Sequence, residues 1–319
     1  MHVPNHLVSP EAAIVGSVVA VALIGVAIAK VRTTTPRRTL SLVWAVGALL
    51  FASQMINIPI GTLGYSGHLV GGILAAALLG PWLGFLTLSG VIALQALLFT
   101  DGGLLALGWN IVNMAAIGAL VVYPLIFRPI AKRSTTPMRY LLAAIAASVV
   151  AIVAGAAAVV GEAAVSGVAV GSLGEFFGSM LSTHAIISLL EGGITGAALA
   201  LIAARQPSLL ESFPHRRMNG LKQSAHRAVV TISLCALFIG GVLSTLASEH
   251  PDGLEWSIQN TLTTSQSQLH TDAEALQQKM ALAPDYEGDY TGLLATAGIL
   301  LCAWISTPSR RKQQQAKEQ

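Results

Sequence analysis

Charge is scarce in this chain. Asp, Glu, Lys and Arg make up 10% of its 319 residues, where a soluble domain carries about 25%. That scarcity excludes an ordinary soluble globular domain. Cysteine is nearly absent as well: Cys235 and Cys302 sit inside apolar runs with no CxxC pair, so neither a disulfide framework nor a thiolate metal site is expected. With 5 Trp, 5 Tyr and 8 Phe, no aromatic platform for nucleic acid stands out, and no nucleic-acid partner is expected. There is no GxxxxGK[ST] loop, so the chain cannot supply ATP chemistry itself. Residues 1 to 10 contain no Lys or Arg, so the first apolar run, Ala12 to Ala29, lacks the positive leader of a secretory signal. The basic residues Lys30, Arg32, Arg37 and Arg38 follow it instead. The run is expected to span a membrane with its N-terminus outside, and Met1 is not expected to be lost with a leader.

What the chain has in abundance is apolar sequence, 54% of its residues, in long runs. These predict an all-α polytopic membrane helix bundle of about nine transmembrane helices, each about 20 residues or a little less. The expected spans are 11–30, 40–57, 68–80, 82–100, 104–127, 140–161, 181–204, 228–247 and 291–306. Gly80-Pro81 separates the third from the fourth. With nine spans and an outside N-terminus, all but Lys279 of the 18 basic residues fall on the inner side. They cluster as Arg128, Lys132, Arg133 and Arg139, then Arg205, Arg216, Arg217, Lys222 and Arg227, then Arg310, Arg311, Lys312 and Lys317. The C-terminus is therefore expected in the cytoplasm, and the chain in the cell inner or plasma membrane, in contact with lipid.

Composition divides the chain into 1–204 with seven spans, a cytoplasmic linker 205–227, a two-span segment 228–306 with an acidic outside loop 248–290, and a charged tail 307–319. Small residues, such as the run AGAAAVVG at 154–161, predict close helix packing.

Polar side chains inside apolar runs invite a functional reading. Gln54 and Asn57 share one helix face, as do Asn110 and Asn113. His68 opens the third span. All lie at the expected outer side, where Met1-His2 also lies. That dipeptide offers three nitrogens in a row: the amine of Met1, the backbone nitrogen of His2 and the imidazole Nδ1 of His2. A metal held by all three closes a five-membered and a six-membered ring in a plane. Such nitrogen-rich coordination suits Ni(II) and Cu(II). His68 can supply the fourth nitrogen, with Gln54, Asn57, Asn110 and Asn113 as supporting partners. His184 and Glu191, seven apart, are expected to pair between helices. Asp101 is expected to cap the fifth span. His215, His226, His250 and His270 are expected at the surface. The acidic loop, made of hard oxygen donors, is expected to speed capture without holding the ion.

At these residues the chain resembles the CbiM/NikM-type substrate-binding component of energy-coupling-factor nickel and cobalt transporters. The motifs are MHVP with Ser9-Pro10, FASQMINIP at 51–59, SGHLVGG at 66–72, LLGPWLG at 78–84, QALLFTDGGLLALGWNIVNMA at 95–115 and HAIISLLEGGITGA at 184–197. Residues 228–306 resemble the small companion subunit with a PDGLE signature, here HPDGLEW at 250–256. The resemblance implies a fused pair of subunits that takes up Ni2+, or else Co2+, with Met1, His2 and His68 as ligands and no cofactor. It also implies partners: a transmembrane coupling subunit and cytoplasmic ATPases. Two departures from the family pattern are Asn5-His6, which puts a spare imidazole near the site, and Ser188. A membrane metal sensor or anchor without transport is the alternative. An enzyme is not expected: His184 and Glu191 do not form the HExxH of an intramembrane metallohydrolase.

Overall fold

The computed structural model describes residues 1–34, 40–132, 136–212, 221–264, 266–286 and 291–306. The chain folds into an all-helical bundle. Helices α1 (Pro10–Thr34), α2 (Leu40–Gln54), α3 (Gly72–Leu79), α4 (Pro81–Phe99), α5 (Leu107–Ala131), α6 (Pro137–Ser166) and α7 (Leu173–Arg205) come first. After them come α8 (Leu221–Gly241), α9 (Gly253–Thr261), α10 (Gln268–Met280) and α11 (Thr291–Ser306). Among the described residues, six stretches are long and apolar enough to cross a bilayer: α1 over Pro10–Arg32, α4, α5, α6, α7 and His226–Leu246, which contains most of α8. The apolar helices Leu40–Gln54 and Thr291–Leu301 are shorter.

The third expected span differs most from its prediction. Only Gly72–Leu79 is helical, and all eight residues are buried. Eight residues rise about 12 Å, well short of a hydrocarbon core of about 30 Å. Two glycines set the limits. Gly71 enters at φ 81 and Gly80 leaves at φ 89, backbone conformations that L side chains resist, and Pro81 then begins α4. Such a half-length segment is tolerated at membrane depth because protein surrounds it. Its start lies at the site described below. Its end is held by the segment after α7, where the Glu211 amide donates to Ala77 O at 2.8 Å. Glu211 also accepts from Tyr123 Oη at 2.6 Å and from Arg128 at 2.8 Å. Residues 205–212 of the expected linker are therefore packed against α3 and α5, and residues 221–227 begin α8.

The expected acidic loop is largely helical. α9 and α10 lie within it, and it is stitched onto the first part of the chain. Strand β4 (Leu262–Thr264) pairs antiparallel with β3 (Ala169–Gly171), which follows α6. The short hairpin of β1 (Ile58–Pro59) and β2 (Ser66–Gly67) receives the PDGLE stretch, with the Ser66 amide donating to Pro251 O at 2.8 Å. Cys235 is exposed on α8, not packed in the core. The basic positions Arg37, Arg38, Arg133, Arg216 and Arg217, the tail 307–319 and His215 lie outside the described residues.

Candidate metal centre

The amino terminus is tucked into the bundle: Met1 is buried, and so are Val3, Leu7 and Val8. Asn110 on α5 grips the strand at Val3 from both sides. Its Oδ1 accepts from the Val3 amide at 2.7 Å, and its Nδ2 donates to Val3 O at 3.1 Å. The Gly103 amide also donates to Val3 O at 2.9 Å. Gly103 must lack a side chain, since a Cβ there would lie 2.4 Å from the Asn5 nitrogen. Chain direction is thus fixed two residues after the amine.

The Met1 amine meets His68 Nε2 at 2.8 Å and Asp252 Oδ2 at 2.7 Å. His68 Nδ1 donates to Leu69 O at 3.2 Å, which leaves the Nε2 lone pair facing the amine. Four nitrogens around a square-planar ion at about 2.0 Å would stand about 2.8 Å apart along each edge. The amine and His68 Nε2 already have the spacing of two adjacent corners. The loop carrying His68 is braced by two buried groups. Gln54 Nε2 donates to Val70 O at 2.8 Å, and Glu191 accepts from the amides of Val70 and Gly71 at 2.7 and 3.0 Å.

His2 lies beside them, its ring stacked on that of His68 with centroids 5.2 Å apart and planes 16° from parallel. Its Nδ1 is 2.9 Å from Asp101 Oδ1, and its Nε2 is buried without a hydrogen-bond partner. A small cavity, with room for about one water, touches Met1, His68, His184 and Asp252. Among the described residues, no three His, Cys, Asp or Glu side chains form a group able to hold a metal ion. A cation held here therefore needs the amine and backbone nitrogen as well as the imidazoles.

Electrostatics favour an ionised rim. Burial alone would push the Asp252 carboxyl up, but the Met1 ammonium and His68 hold it well below the usual carboxylate range. Burial likewise opposes ionisation of Asp101, yet His2 and Tyr286 hold it down to about 2. Burial, reinforced by the ammonium, lowers the His68 pKa and so favours the neutral imidazole that a metal requires.

Of the residues singled out in the sequence, Met1, His2 and His68 come together, with Asn110 and Gln54 bracing them. Asn113 lies one step deeper, donating to Glu162 at 2.9 and 3.1 Å while lining a cavity with Met1. Asn57 is not in the site; its carbonyl accepts from the Ser248 amide at 2.7 Å. His184 and Glu191 do not pair with each other: His184 Nδ1 donates to Met180 O at 2.8 Å, and Glu191 holds the His68 loop. Asp101 does not cap α5; its carboxylate goes to His2 and Tyr286. His270 is buried, with Nε2 donating to Val8 O at 3.0 Å, while His226 and His250 are exposed. His6 lies within the electrostatic reach of Glu274 and His270. Asp252 is the residue that sequence reasoning missed. In the sequence it is one carboxylate of the acidic loop, within the PDGLE signature; in the structure it caps α9, since Oδ1 accepts from the amides of Leu254 and Glu255 at 2.9 and 2.8 Å. Its second oxygen does the unforeseen work.

Comparison with known proteins agrees with this arrangement in extent. Residues 2–209 match the family described as the cobalt uptake substrate-specific transmembrane region, and residues 226–305 match the PDGLE domain. A protein of Archaeoglobus fulgidus assigned to fused nickel transport (NikMN) is 34% identical over 211 residues, 66% of this chain and 68% of that one. The cobalt transport protein CbiM of Sorangium cellulosum is 32% identical over 172 residues, 52% of this chain and 74% of that one. A crystal structure of a truncated transition metal transporter superposes with a TM-score of 0.56 at 30% identity, covering 64% of this chain and 99% of the other.

Proposed function

Because this chain belongs to the family of cobalt uptake substrate-specific transmembrane regions, with a PDGLE domain fused behind it, we propose that it is the ion-capturing membrane component of a nickel or cobalt uptake system. The ion is held by the Met1 amine, the backbone nitrogen and imidazole Nδ1 of His2, and His68 Nε2. The observation that carries this reading is the 2.8 Å spacing of the buried amine and a correctly poised His68 Nε2. Loading removes one proton from the amine and one from the His2 amide. The amide nitrogen is a strong-field donor, which favours Ni2+ over Co2+, as does the general affinity order. The site faces outward, and delivery inward is driven by a transmembrane coupling subunit and cytoplasmic ATPases.

The test is titration of the purified full chain with Ni2+ and with Co2+, beside His68→Ala. Tight binding by the native chain, stronger for Ni2+ and mostly lost in the variant, is expected. Equal binding by both proteins would reject the ligand set. Uptake of radioactive nickel by cells expressing the chain with its neighbouring coupling and ATPase genes tests transport; binding without uptake would make it a sensor.

A further inference from the structure

The contact between His2 and Asp101 occupies the one nitrogen of that ring which the chelate needs. Nδ1 lies 2.9 Å from Asp101 Oδ1, with the imidazole side chain 5% exposed. Asp101 is itself held in place. Tyr286 donates its hydroxyl to Oδ2 at 2.7 Å, and Gln95 Nε2 donates to the Tyr286 oxygen at 3.1 Å. The Tyr286 ring stacks on Phe99 with centroids 5.0 Å apart. Next to it, the Asp285 amide donates to Thr100 Oγ1 at 3.0 Å, and that hydroxyl lies 2.9 Å from Asp285 Oδ1. A ring nitrogen whose hydrogen is given to a carboxylate has no lone pair to offer a cation. The ion and Asp101 therefore exclude each other at Nδ1.

We infer that Asp101 is an internal competitor for the ion. In the metal-free protein it holds the His2 imidazole out of the chelate, and capture is complete only when Nδ1 leaves the carboxylate. The inference rests on the nitrogen chelate proposed above. On release, the ring hydrogen moves from Nδ1 to Nε2, which has no hydrogen bond to lose, so the imidazole stays neutral. Asp101 keeps Tyr286 and, with its side chain 23% exposed, regains water. Tyr286 and Asp285 belong to the segment joining α10 to α11. The companion part of the chain thus holds the latch that the first part must open.

The opposite role is well known at metal sites: a carboxylate holds one nitrogen of a histidine whose other nitrogen binds the ion. Losing such a partner weakens metal binding by about 10–100-fold. The two roles differ in sign, so one substitution separates them. Asp101→Asn keeps the shape and weakens the hydrogen bond. It also removes a charge, but loading exchanges two protons for a dication, so the net charge facing residue 101 is the same before and after. The charge effect largely cancels, and what remains is a bond that only the metal-free state makes.

In stopped-flow mixing and calorimetry, Asp101→Asn should take up Ni2+ about tenfold faster and bind it about tenfold tighter. Slower capture, weaker binding or no change in either would overturn the inference. If the variant does not fold, the native chain still decides. With 15N-labelled histidine, His2 should carry its hydrogen on Nδ1 without metal and on Nε2 in the diamagnetic nickel-loaded form. A hydrogen on Nε2 before loading, or one kept on Nδ1 afterwards, overturns the inference too. Failure of the underlying chelate looks different, because His68→Ala would then bind Ni2+ as well as the native chain.

Discussion

Acetylating the Met1 amine leaves every side chain in place and removes only that donor, whereas a glycine extension would supply a fresh amine to a Gly-Met-His terminus that can chelate nickel by itself. The native amine stands 2.8 Å from His68 Nε2 and 2.7 Å from Asp252 Oδ2. The peptide nitrogen that replaces it carries a single hydrogen. It can serve Asp252 or His68, not both. The new carbonyl must also find a partner where Met1 is 5% exposed. Without an ion, the cost is a charged group losing its best partner, about 1–3 kcal/mol. With one, the neutral amine donor is gone. Loss of an outer partner alone costs about 10–100-fold at such sites, so loss of a donor should exceed roughly 100-fold. Matched proteins with free and acetylated termini should be compared by nickel titration and by thermal unfolding, with and without the ion. The acetylated protein should unfold slightly earlier and gain little from nickel. Equal dissociation constants would mean that the amine is not a ligand, and the proposed site would fall.

Other expectations follow from the same geometry. His6→Ala should leave nickel affinity within about threefold by calorimetry, because the charges acting on His6 are those of Glu274 and His270, while the amine meets His68 and Asp252. Gly155→Ala should cost about 1–3 kcal/mol of stability and weaken nickel binding: its new Cβ would stand 2.9 Å from Met1 Cε and 3.3 Å from Asn113 O, unseating the terminal residue. Nickel affinity should rise by about two orders of magnitude per pH unit while two protons are displaced; a flat titration series would point to oxygen ligands. The Asp101 carboxyl, held at about 2 against an ordinary 3.8, contributes stability that is present above about pH 4 and lost as pH falls through 2. Acid unfolding of Asp101→Asn should lack that component.

The bundle was legible because lipid makes a simple demand. Each long apolar run had to become a helix, and most did. The exception, residues 68–80, shows where that logic stops: apolar content cannot tell a spanning helix from a short one enclosed by protein. Gly71 and Gly80, with their positive φ angles, carried the missing information. That the amine, His2 and His68 would come together was legible through their chemistry, since they are nitrogen donors expected at the same outer side. Their braces were half legible. Gln54 and Asn110 stood out as amides in apolar runs, but Asn57 shares that property, and its backbone carbonyl accepts from the Ser248 amide. Asp101 was hidden by a sound local explanation, a capping carboxylate before a helix, and Asp252 by its place among the many carboxylates of the acidic loop. Nothing in the local pattern announces a partner 251 positions away.

The contacts that hold the terminus come from the companion part, directly or through Asp101, and this bears on how the two parts of the chain work together. Asp252 touches the amine, and Tyr286 holds the carboxylate that occupies His2. Gln277 on α10 accepts from Asn5 and donates to Ala96 O and Gly102 O at 2.8 and 2.7 Å. His270, on the same helix, ties down Val8. Residues 1, 5 and 8 are thus each held directly from the companion segment, and residue 2 is held through Asp101. A terminus of ten residues has too few contacts of its own to stay in one geometry, and the proposed chelate needs the amine and His68 in place, with His2 within reach, when the ion arrives. On that proposal the first part of the chain provides the donors and the walls around them. The companion part supplies the grip that keeps a short terminus at its post. Fusing the two on one chain keeps that grip at high effective concentration, so the site is assembled without waiting for a second subunit to arrive.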